Sequence, residues 1–212
     1  MKDIIIRGRF ITLEGGEGVG KSTQLQALAE AIRVRGHTVL TTREPGGSPG
    51  AEAIRAMLMD GKADRWSPQA EALLFAAARA DHVEKTIRPA LERGDWVICD
   101  RFIDSTRAYQ GGAGGLSDAD IMTLHRIGSH GLMPDRTLVL KLDTGEASLR
   151  AESRDGGRID RFSLQNSEYH QKVAETFEDM AGREPDRFRL VLASGMASVV
   201  TAKLVAVLDG LL

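Results

Sequence analysis

Five short apolar runs recur along the chain, separated by longer stretches with helical spacing. The runs are almost continuously hydrophobic or β-branched and occupy residues 10–15, 38–42, 95–100, 136–143 and 188–194. Strands without a polar alternation are typical of a parallel sheet that is covered on both faces. The pattern therefore predicts a single α/β domain over residues 1–212, with helices on both sides of a parallel sheet.

The helical stretches lie between these runs. Apolar residues recur at helical spacing from Leu25 onward until Gly36, a typical helix stop. Alanine- and leucine-rich stretches at 68–91 and 117–130 also have helical spacing. The glycine- and proline-containing segment 42–50 instead predicts a loop that directly follows a strand.

Composition and charge are those of an ordinary globular domain. Hydrophobic residues make up 42% and charged residues 27% of the chain, and the net charge is −2. This balance gives no reason to expect a nucleic acid or a membrane as partner. The single cysteine, Cys99, rules out an internal disulfide, and no apolar run approaches the ~20 residues that span a bilayer. We therefore expect a cytoplasmic protein.

The stretch LEGGEGVGKST (13–23) contains the pattern Gly-x-x-x-x-Gly-Lys-Ser between a predicted strand and a predicted helix. This context is the one in which the pattern forms a phosphate-binding loop for a nucleoside triphosphate. Backbone N–H groups and the helix N-terminus attract the phosphates, Lys21 holds the β- and γ-phosphates, and Ser22 binds Mg²⁺. The ATP-binding residues expected are Gly15, Gly16, Glu17, Gly18, Val19, Gly20, Lys21, Ser22 and Thr23.

The apolar strand WVICD ends in Asp100, which is followed by Arg101. An aspartate in this position assists Mg²⁺. Motor ATPases usually have a water-activating glutamate directly after this aspartate, where this chain has Arg101. GTPases need an Asn-Lys-x-Asp motif, which is absent because the chain's only asparagine, Asn166, is followed by Ser167. Arg101 can instead hold a second anion opposite the triphosphate, so the pattern favours phosphoryl transfer to a phosphate-bearing acceptor.

Further arginines agree with a cleft that holds two phosphate-bearing ligands. Arg43 follows the second predicted strand, and the segment RAESRDGGRIDR (150–161) has two central glycines that would let it close as a lid. The alternative for this segment is a solvated, charged helix end. Its arginines are Arg150, Arg154, Arg158 and Arg161.

These motifs together resemble the bacterial thymidylate kinases over about residues 10–165. The resemblance is carried by TLEGGEGVGKSTQ, TREPGG, LLFAAARADH, CDRFIDSTRAYQGG and RAESRDGGRIDRF. It implies phosphorylation of dTMP to dTDP by Mg²⁺ and ATP, in dTTP synthesis, and a homodimer. It also implies a P-loop NTPase-type five-stranded parallel sheet in the order 2-3-1-4-5, with helices on both faces and a short arginine-rich lid at about 148–162.

The resemblance also implies roles for the matching residues. Glu17 lies near the 3′-hydroxyl of the acceptor, while Arg43 and Arg101 bind its phosphate. Tyr109 fills the space that a ribose 2′-hydroxyl would need, and Gln110 lines the edge of the sugar or base.

At the base itself, the resemblance assigns Phe75 to stacking on thymine and Arg79, one helical turn later, to hydrogen bonding. Ser105 and Thr106 line the same pocket. Without the resemblance, Phe75 would be interpreted as core packing on an alanine-rich helix.

The family includes members whose catalytic arginine lies in the lid, and this chain resembles that lid-arginine type because its phosphate loop has no basic residue before Lys21. The resemblance thus gives the catalytic set Lys21, Arg101, Arg154, Arg158 and Glu17. Two alternatives stay open: a kinase for another nucleoside monophosphate, and a non-catalytic ATP-binding regulatory module. The segment 182–188 has no assigned role, and the pair at 192–193 leaves the adenine contacts open.

Overall fold

In a computed structural model, which describes residues 8–62, 64–142, 162 and 165–212, five parallel strands form one sheet in the order β2-β3-β1-β4-β5. Each neighbouring pair is parallel, which confirms the predicted order and orientation. The strands are β1 Phe10–Glu14, β2 Val39–Arg43, β3 Trp96–Asp100, β4 Arg136–Lys141 and β5 Phe188–Leu192.

Helices follow or separate these strands as the pattern predicts. They are α1 Lys21–Arg33, α2 Pro49–Met59, α3 Pro68–His82, α4 Arg88–Glu92, α5 Ile103–Thr106, α6 Asp118–Ser129, α7 Ser167–Arg183 and α8 Ala197–Ala206. Two π-helical segments, Val83–Ile87 and Arg107–Ala113, continue α3 and α5.

The stretch 68–91 is helical, as predicted, but its hydrogen bonding changes midway. In the π-helical segment the N–H of Arg88 donates to the carbonyl of Val83, five residues back. Pro89, the next residue, has no N–H and cannot continue the regular α-helical ladder. The widened turn therefore accommodates the proline without ending the helix.

Both faces of the sheet are covered. Ile11 and Leu13 of β1 belong to a buried cluster with residues of α1 and α8. Phe10 of the same strand belongs to a second cluster, with Val83 and Ile121. Because neighbouring residues of a strand point to opposite faces, this division confirms helices on both sides. Among the described residues, no helix is long and apolar enough to cross a membrane.

Candidate active site

The connection between β1 and α1 is a tightly wrapped glycine-rich loop. Gly15, Gly18 and Gly20 have φ angles of 126°, 73° and 91°, which residues with a side chain rarely adopt. A Cβ atom on Gly15 would also collide with the carbonyl oxygen of Leu140 in β4. Helix α1 begins at Lys21, so its first N–H groups are available to an anion at the loop.

Lys21 is held inside this loop. Its Nζ donates to the carbonyl oxygens of Gly16 at 2.6 Å and Gly15 at 3.2 Å. Burial and, after it, the charge of Arg101 lower the pKa of Lys21 to about 7. Phosphate oxygens would give this amine the negative partners that favour its charged form.

The loop residues predicted to bind ATP do not all reach the cleft through their side chains. Val19 is buried in the core beside α1, and Thr23 is exposed on that helix. Neither is among the residues that line the cleft, nor are Gly15 and Gly16. Because Gly15 and Gly16 have no side chain and that of Val19 lies in the core, any contact of these three with phosphates would depend on their backbone.

Ser22 and Asp100, the predicted Mg²⁺ ligands, lie side by side. The Ser22 Oγ donates to Asp100 Oδ2 at 3.4 Å, while Asp100 Oδ1 is buried and has no hydrogen-bond partner in the described part of the chain. No group of three or more His, Cys, Asp or Glu side chains there could hold a metal by itself. The oxygen pair fits Mg²⁺, which typically binds one or two side chains together with the phosphates of a nucleotide.

Arg101 follows Asp100 in a left-handed backbone conformation, with φ of 67°. Its Nη1 donates to the carbonyl of Gly15 and to Ser105 Oγ, both at 3.2 Å. Its Nη2 lies 3.6 Å from Glu17 Oε1, and its guanidinium carbon lies 5.0 Å from the centre of the Tyr109 ring. The side chain is thus fixed next to the phosphate loop.

Glu14, at the end of β1, accepts hydrogen bonds from the chain that follows Arg101. Its Oε1 accepts from the N–H of Phe102 at 2.8 Å, and its Oε2 accepts from Ser105 Oγ at 2.6 Å. Burial and the charge of Asp104 raise the pKa of Glu14 to about 8. The sequence pattern gave no signal for this role beyond the position of Glu14 just before the loop.

A cleft of about 260 Å³ opens between the phosphate loop, α3 and the chain after β3. The structure brings all nine predicted acceptor residues to its walls: Glu17, Arg43, Phe75, Arg79, Arg101, Ser105, Thr106, Tyr109 and Gln110. Six lining residues were not predicted: Glu44, Pro45, Arg55, Met59, Phe102 and Phe162.

Three aromatic rings, those of Phe75, Tyr109 and Phe162, line one part of the cleft. The ring centre of Phe162 lies 5.9 Å from that of Phe75 and 6.2 Å from that of Tyr109. Gln110 Nε2 donates to Glu71 Oε2 at 3.0 Å, which fixes the amide within the wall. This part of the cleft is suited to a flat, apolar-faced ring with polar edges.

Two arginines that line the cleft are held by carboxylates. Arg43 Nη2 donates to Glu52 Oε1 at 3.0 Å and Oε2 at 3.1 Å, and its side chain is half exposed. Arg79 is buried and donates to Glu44 Oε2 at 2.7 Å and to Thr106 Oγ1 at 2.8 Å. Glu44 is adjacent to Arg43 in TREPGG, so that motif held the signal for it.

The segment 182–188, without a role in the sequence analysis, reaches the chain after β3 through Arg187. Its Nη1 and Nη2 donate to Asp104 Oδ2 at 2.5 Å and Oδ1 at 2.9 Å. Burial raises the pKa of the Asp104 carboxyl, but hydrogen bonds from Arg187, its charge and that of Arg107 outweigh burial and hold that pKa below its usual range. The ion pair therefore anchors the α5 region of the cleft wall.

The predicted lid lies almost entirely outside the described residues. Of 148–162 only Phe162 is described, and the roles expected for Arg150, Arg154, Arg158 and Arg161 stay predictions.

Comparisons with known proteins identify the family of this chain. The family model for thymidylate kinase matches residues 13–203. A thymidylate kinase of Rhizorhabdus wittichii is 58% identical over 205 residues, covering 97% of this chain and 99% of the relative. A thymidylate kinase of Caulobacter vibrioides is 48% identical over 196 residues, covering 92% and 93% of the two chains.

A solved structure also shares the fold. The crystal structure of thymidylate kinase from Ehrlichia chaffeensis superposes with a TM-score of 0.77 at 31% identity, over 95% of this chain and 99% of that one. The match of the family model to most of the chain, the identities and the shared fold lead to one conclusion: the chain belongs to the thymidylate kinase family.

Proposed function

We propose that this chain transfers the γ-phosphoryl group of Mg²⁺-bound ATP to dTMP and releases ADP and dTDP, a step in the supply of dTTP. One observation carries the proposal beyond family membership. A single cleft joins the phosphate loop to an aromatic-lined pocket, and the guanidinium of Arg101 is fixed where the two meet.

On the donor side, the backbone of the loop and the start of α1 hold the phosphates of ATP. Lys21 Nζ leaves its carbonyl partners for the β- and γ-phosphates. Ser22 and Asp100 supply oxygen ligands for Mg²⁺, which neutralises phosphate charge when it is bound.

On the acceptor side, Arg101 and Arg43 hold the phosphate of dTMP, and Glu17 lies beside the sugar 3′-hydroxyl. Phe75 stacks on thymine, while Arg79 hydrogen-bonds the base and Ser105 and Thr106 line its pocket. Tyr109 excludes a 2′-hydroxyl, and Gln110 contacts the edge of the sugar or base. All of these side chains line the one cleft, which supports the assignment.

The reaction needs little from the protein beyond alignment and charge neutralisation. An oxygen of the dTMP phosphate forms a bond to the γ-phosphorus of ATP. The bond from that phosphorus to the bridging oxygen breaks, and the oxygen leaves with ADP. Lys21 and Arg101 neutralise charge on the transferred group, and we propose the same for Arg154 and Arg158 of the lid.

Two further proposals concern the state of the protein. We propose that it works in the cytoplasm, where both nucleotides are available, and as a homodimer. Leu73 of α3 and Ile127 of α6 support pairing, because these large apolar side chains are 56% and 71% exposed on helices that pack together. Light scattering of wild type and of a Leu73→Asp, Ile127→Asp double variant tests it: we expect a dimer and a monomer.

Thermal unfolding with dTMP alone tests the acceptor site. A preformed dTMP pocket raises the melting temperature without ATP, because a ligand that binds only the folded state stabilises it. A regulatory ATP-binding module has no reason to respond to dTMP. The same titration with Phe75→Ala should show a much smaller rise, whereas Gln69→Ala, a truncation at an exposed position of the same helix, should match wild type. No rise in wild type would contradict the proposal.

A further inference from the structure

A line of hydrogen bonds joins β2, α3 and the residue that follows β2, next to the part of the cleft assigned to the acceptor base. His82 Nε2 lies 2.7 Å from Thr42 Oγ1, and His82 Nδ1 lies 3.1 Å from Glu44 Oε1. The other oxygen of Glu44 accepts from Arg79 Nε at 2.7 Å. Only Arg79 and Glu44 of these four line the cleft, so Thr42 and His82 act on it only through them.

Burial makes this line rigid. His82 is 0%, Arg79 2% and Glu44 6% exposed. A Cβ atom on Gly47 would collide with the His82 ring, so the TREPGG loop closes directly over the histidine. Thr86 Oγ1 donates to the Gly47 carbonyl at 2.7 Å and ties the loop down. The carboxylate of Glu44 therefore has little freedom to turn.

The result is a guanidinium fixed in one plane. Glu44 holds Arg79 at Nε and Thr106 holds it at Nη2, and the guanidinium carbon lies 5.1 Å from the centre of the Phe102 ring. Arginine carries five N–H hydrogens and no acceptor. Two are used by these bonds to described residues, which leaves up to three for a ligand in the cleft.

A fixed set of donors discriminates between bases. Thymine and uracil present a carbonyl acceptor at C4, whereas cytosine presents an amino donor there. Sites built to hydrogen-bond one group strongly reject the analogue that lacks it, because buried donors are then left unpaired. That rejection weakens if the arginine can swing away.

We propose that Glu44 and His82 are positioning residues that set the selectivity of the acceptor site for a carbonyl over an amino group at C4 of the base. The inference rests on the proposed function, in which Arg79 hydrogen-bonds the acceptor base. Glu44 orients Arg79 directly, and His82 orients Glu44.

The test compares kcat/KM for three acceptors. The ratio of dUMP to dCMP reports the exchange of the C4 carbonyl and its neighbouring N3–H for the C4 amino group and an unprotonated N3, because neither base has the methyl group. The ratio of dTMP to dUMP reports the methyl group alone. Positioning by Glu44 predicts that Glu44→Ala lowers the first ratio by about tenfold or more and changes the second by less than about twofold. Loss of packing alone would not change one ratio and spare the other.

Glu44→Gln is the matched conservative variant. Its amide oxygen can still accept from Arg79 Nε, while its amide N–H₂ donates to His82 Nδ1 once the imidazole proton moves to Nε2. We therefore expect it to stay within about threefold of wild type in the dUMP to dCMP ratio. His82→Ala should fall between the two glutamate variants. Glu84→Ala, an exposed glutamate two residues after His82, serves as the control and should match wild type.

A dUMP to dCMP ratio that stays at the wild-type value in folded Glu44→Ala overturns the inference, and so does an equal fall in both ratios. If that variant does not fold, an unchanged ratio in His82→Ala overturns it in the same way. A wild type that already fails to prefer dUMP over dCMP contradicts the proposed function itself, and this is seen before any substitution is made.

Discussion

The two halves of the cleft are built in different ways. The donor half is a backbone structure from one short stretch, in which Lys21 bonds to a carbonyl only five residues away. The acceptor half is a set of side chains brought together from distant parts of the chain. Arg79 and Glu44 are 35 residues apart, Arg187 and Asp104 are 83, and Ser105 and Glu14 are 91.

Because of this difference, the two halves are sensitive to different substitutions. The donor half consists of glycines and backbone N–H groups and depends on backbone conformation. A substitution there should lower catalysis and leave the fold in place. The acceptor half consists of buried charged side chains that depend on the fold and also stabilise it. A substitution there should lower both catalysis and stability. Single substitutions can separate the two cases.

The largest effect should follow loss of Asp104 on the acceptor side. Asp104→Ala removes one of the two carboxylates that hold Arg187, the other being Glu184, and breaking a buried ion pair typically costs about 3–5 kcal/mol of unfolding free energy. Urea unfolding measures it. Asp179→Ala removes an exposed aspartate paired with Arg183 at 2.6 Å, and this control should cost less than about 1 kcal/mol. Equal losses in the two variants would contradict an anchoring role for Asp104.

Next in size is the effect of Lys21→Ala on the donor side. Removal of one preorganised cation from the transferred phosphoryl group should lower kcat by about 100- to 1,000-fold, while dTMP alone still raises the melting temperature as in wild type. Steady-state kinetics and thermal unfolding measure the two results. Lys172→Ala, a half-exposed lysine on α7, is the control. Loss of the dTMP response would show that the two halves are not separable.

A smaller effect is expected at Tyr109. The side chain is 5% exposed, and truncation to alanine opens the space that we assign to exclusion of a 2′-hydroxyl. The ratio of kcat/KM for the ribose form of TMP to that for dTMP should rise roughly tenfold in Tyr109→Ala and stay unchanged in Tyr109→Phe, which keeps the ring. If the alanine variant gains no ribonucleotide turnover, Tyr109 is not the excluding residue.

The last effect concerns the pH dependence of stability through Glu14. Its pKa in the folded chain is about 8, above the usual 4.5. Below pH 4.5 both states hold the proton; between 4.5 and 8 only the folded state does. Its contribution to the unfolding free energy therefore falls as pH rises through this window, by at most about 1.4 kcal/mol per pH unit.

Glu14→Gln cannot titrate but can still accept from Phe102 N–H. Urea unfolding at several pH values in this window should therefore show a shallower decline of stability with rising pH in Glu14→Gln than in wild type. Glu30→Gln, an exposed glutamate on α1, should keep the wild-type slope. Identical slopes in all three proteins would refute a raised pKa for Glu14.

The same contrast explains what the sequence could predict. The strands of this parallel sheet can be recognised in the sequence as apolar runs, because both faces of the sheet are buried. The phosphate loop can be recognised as a motif, because its glycines and its lysine lie within one short stretch of chain. Arg79 was expected at the base only through the family resemblance. Its support by Glu44 and His82, and that of Asp104 by Arg187, depends on which side chains the fold brings together, and no local pattern encodes those contacts. The spacing of apolar residues predicts a helix over 68–91 but cannot indicate the π-helical turn before Pro89.

The most direct test of the proposed kinase activity is ADP formation from Mg²⁺ and ATP with a panel of acceptors: dTMP, dUMP, the ribose form of TMP, dCMP, dGMP and none. We predict strong turnover with dTMP, weaker turnover with dUMP and little with the others. Turnover that favours another monophosphate would contradict the assigned base pocket, and ADP formation indifferent to the acceptor would contradict the kinase itself.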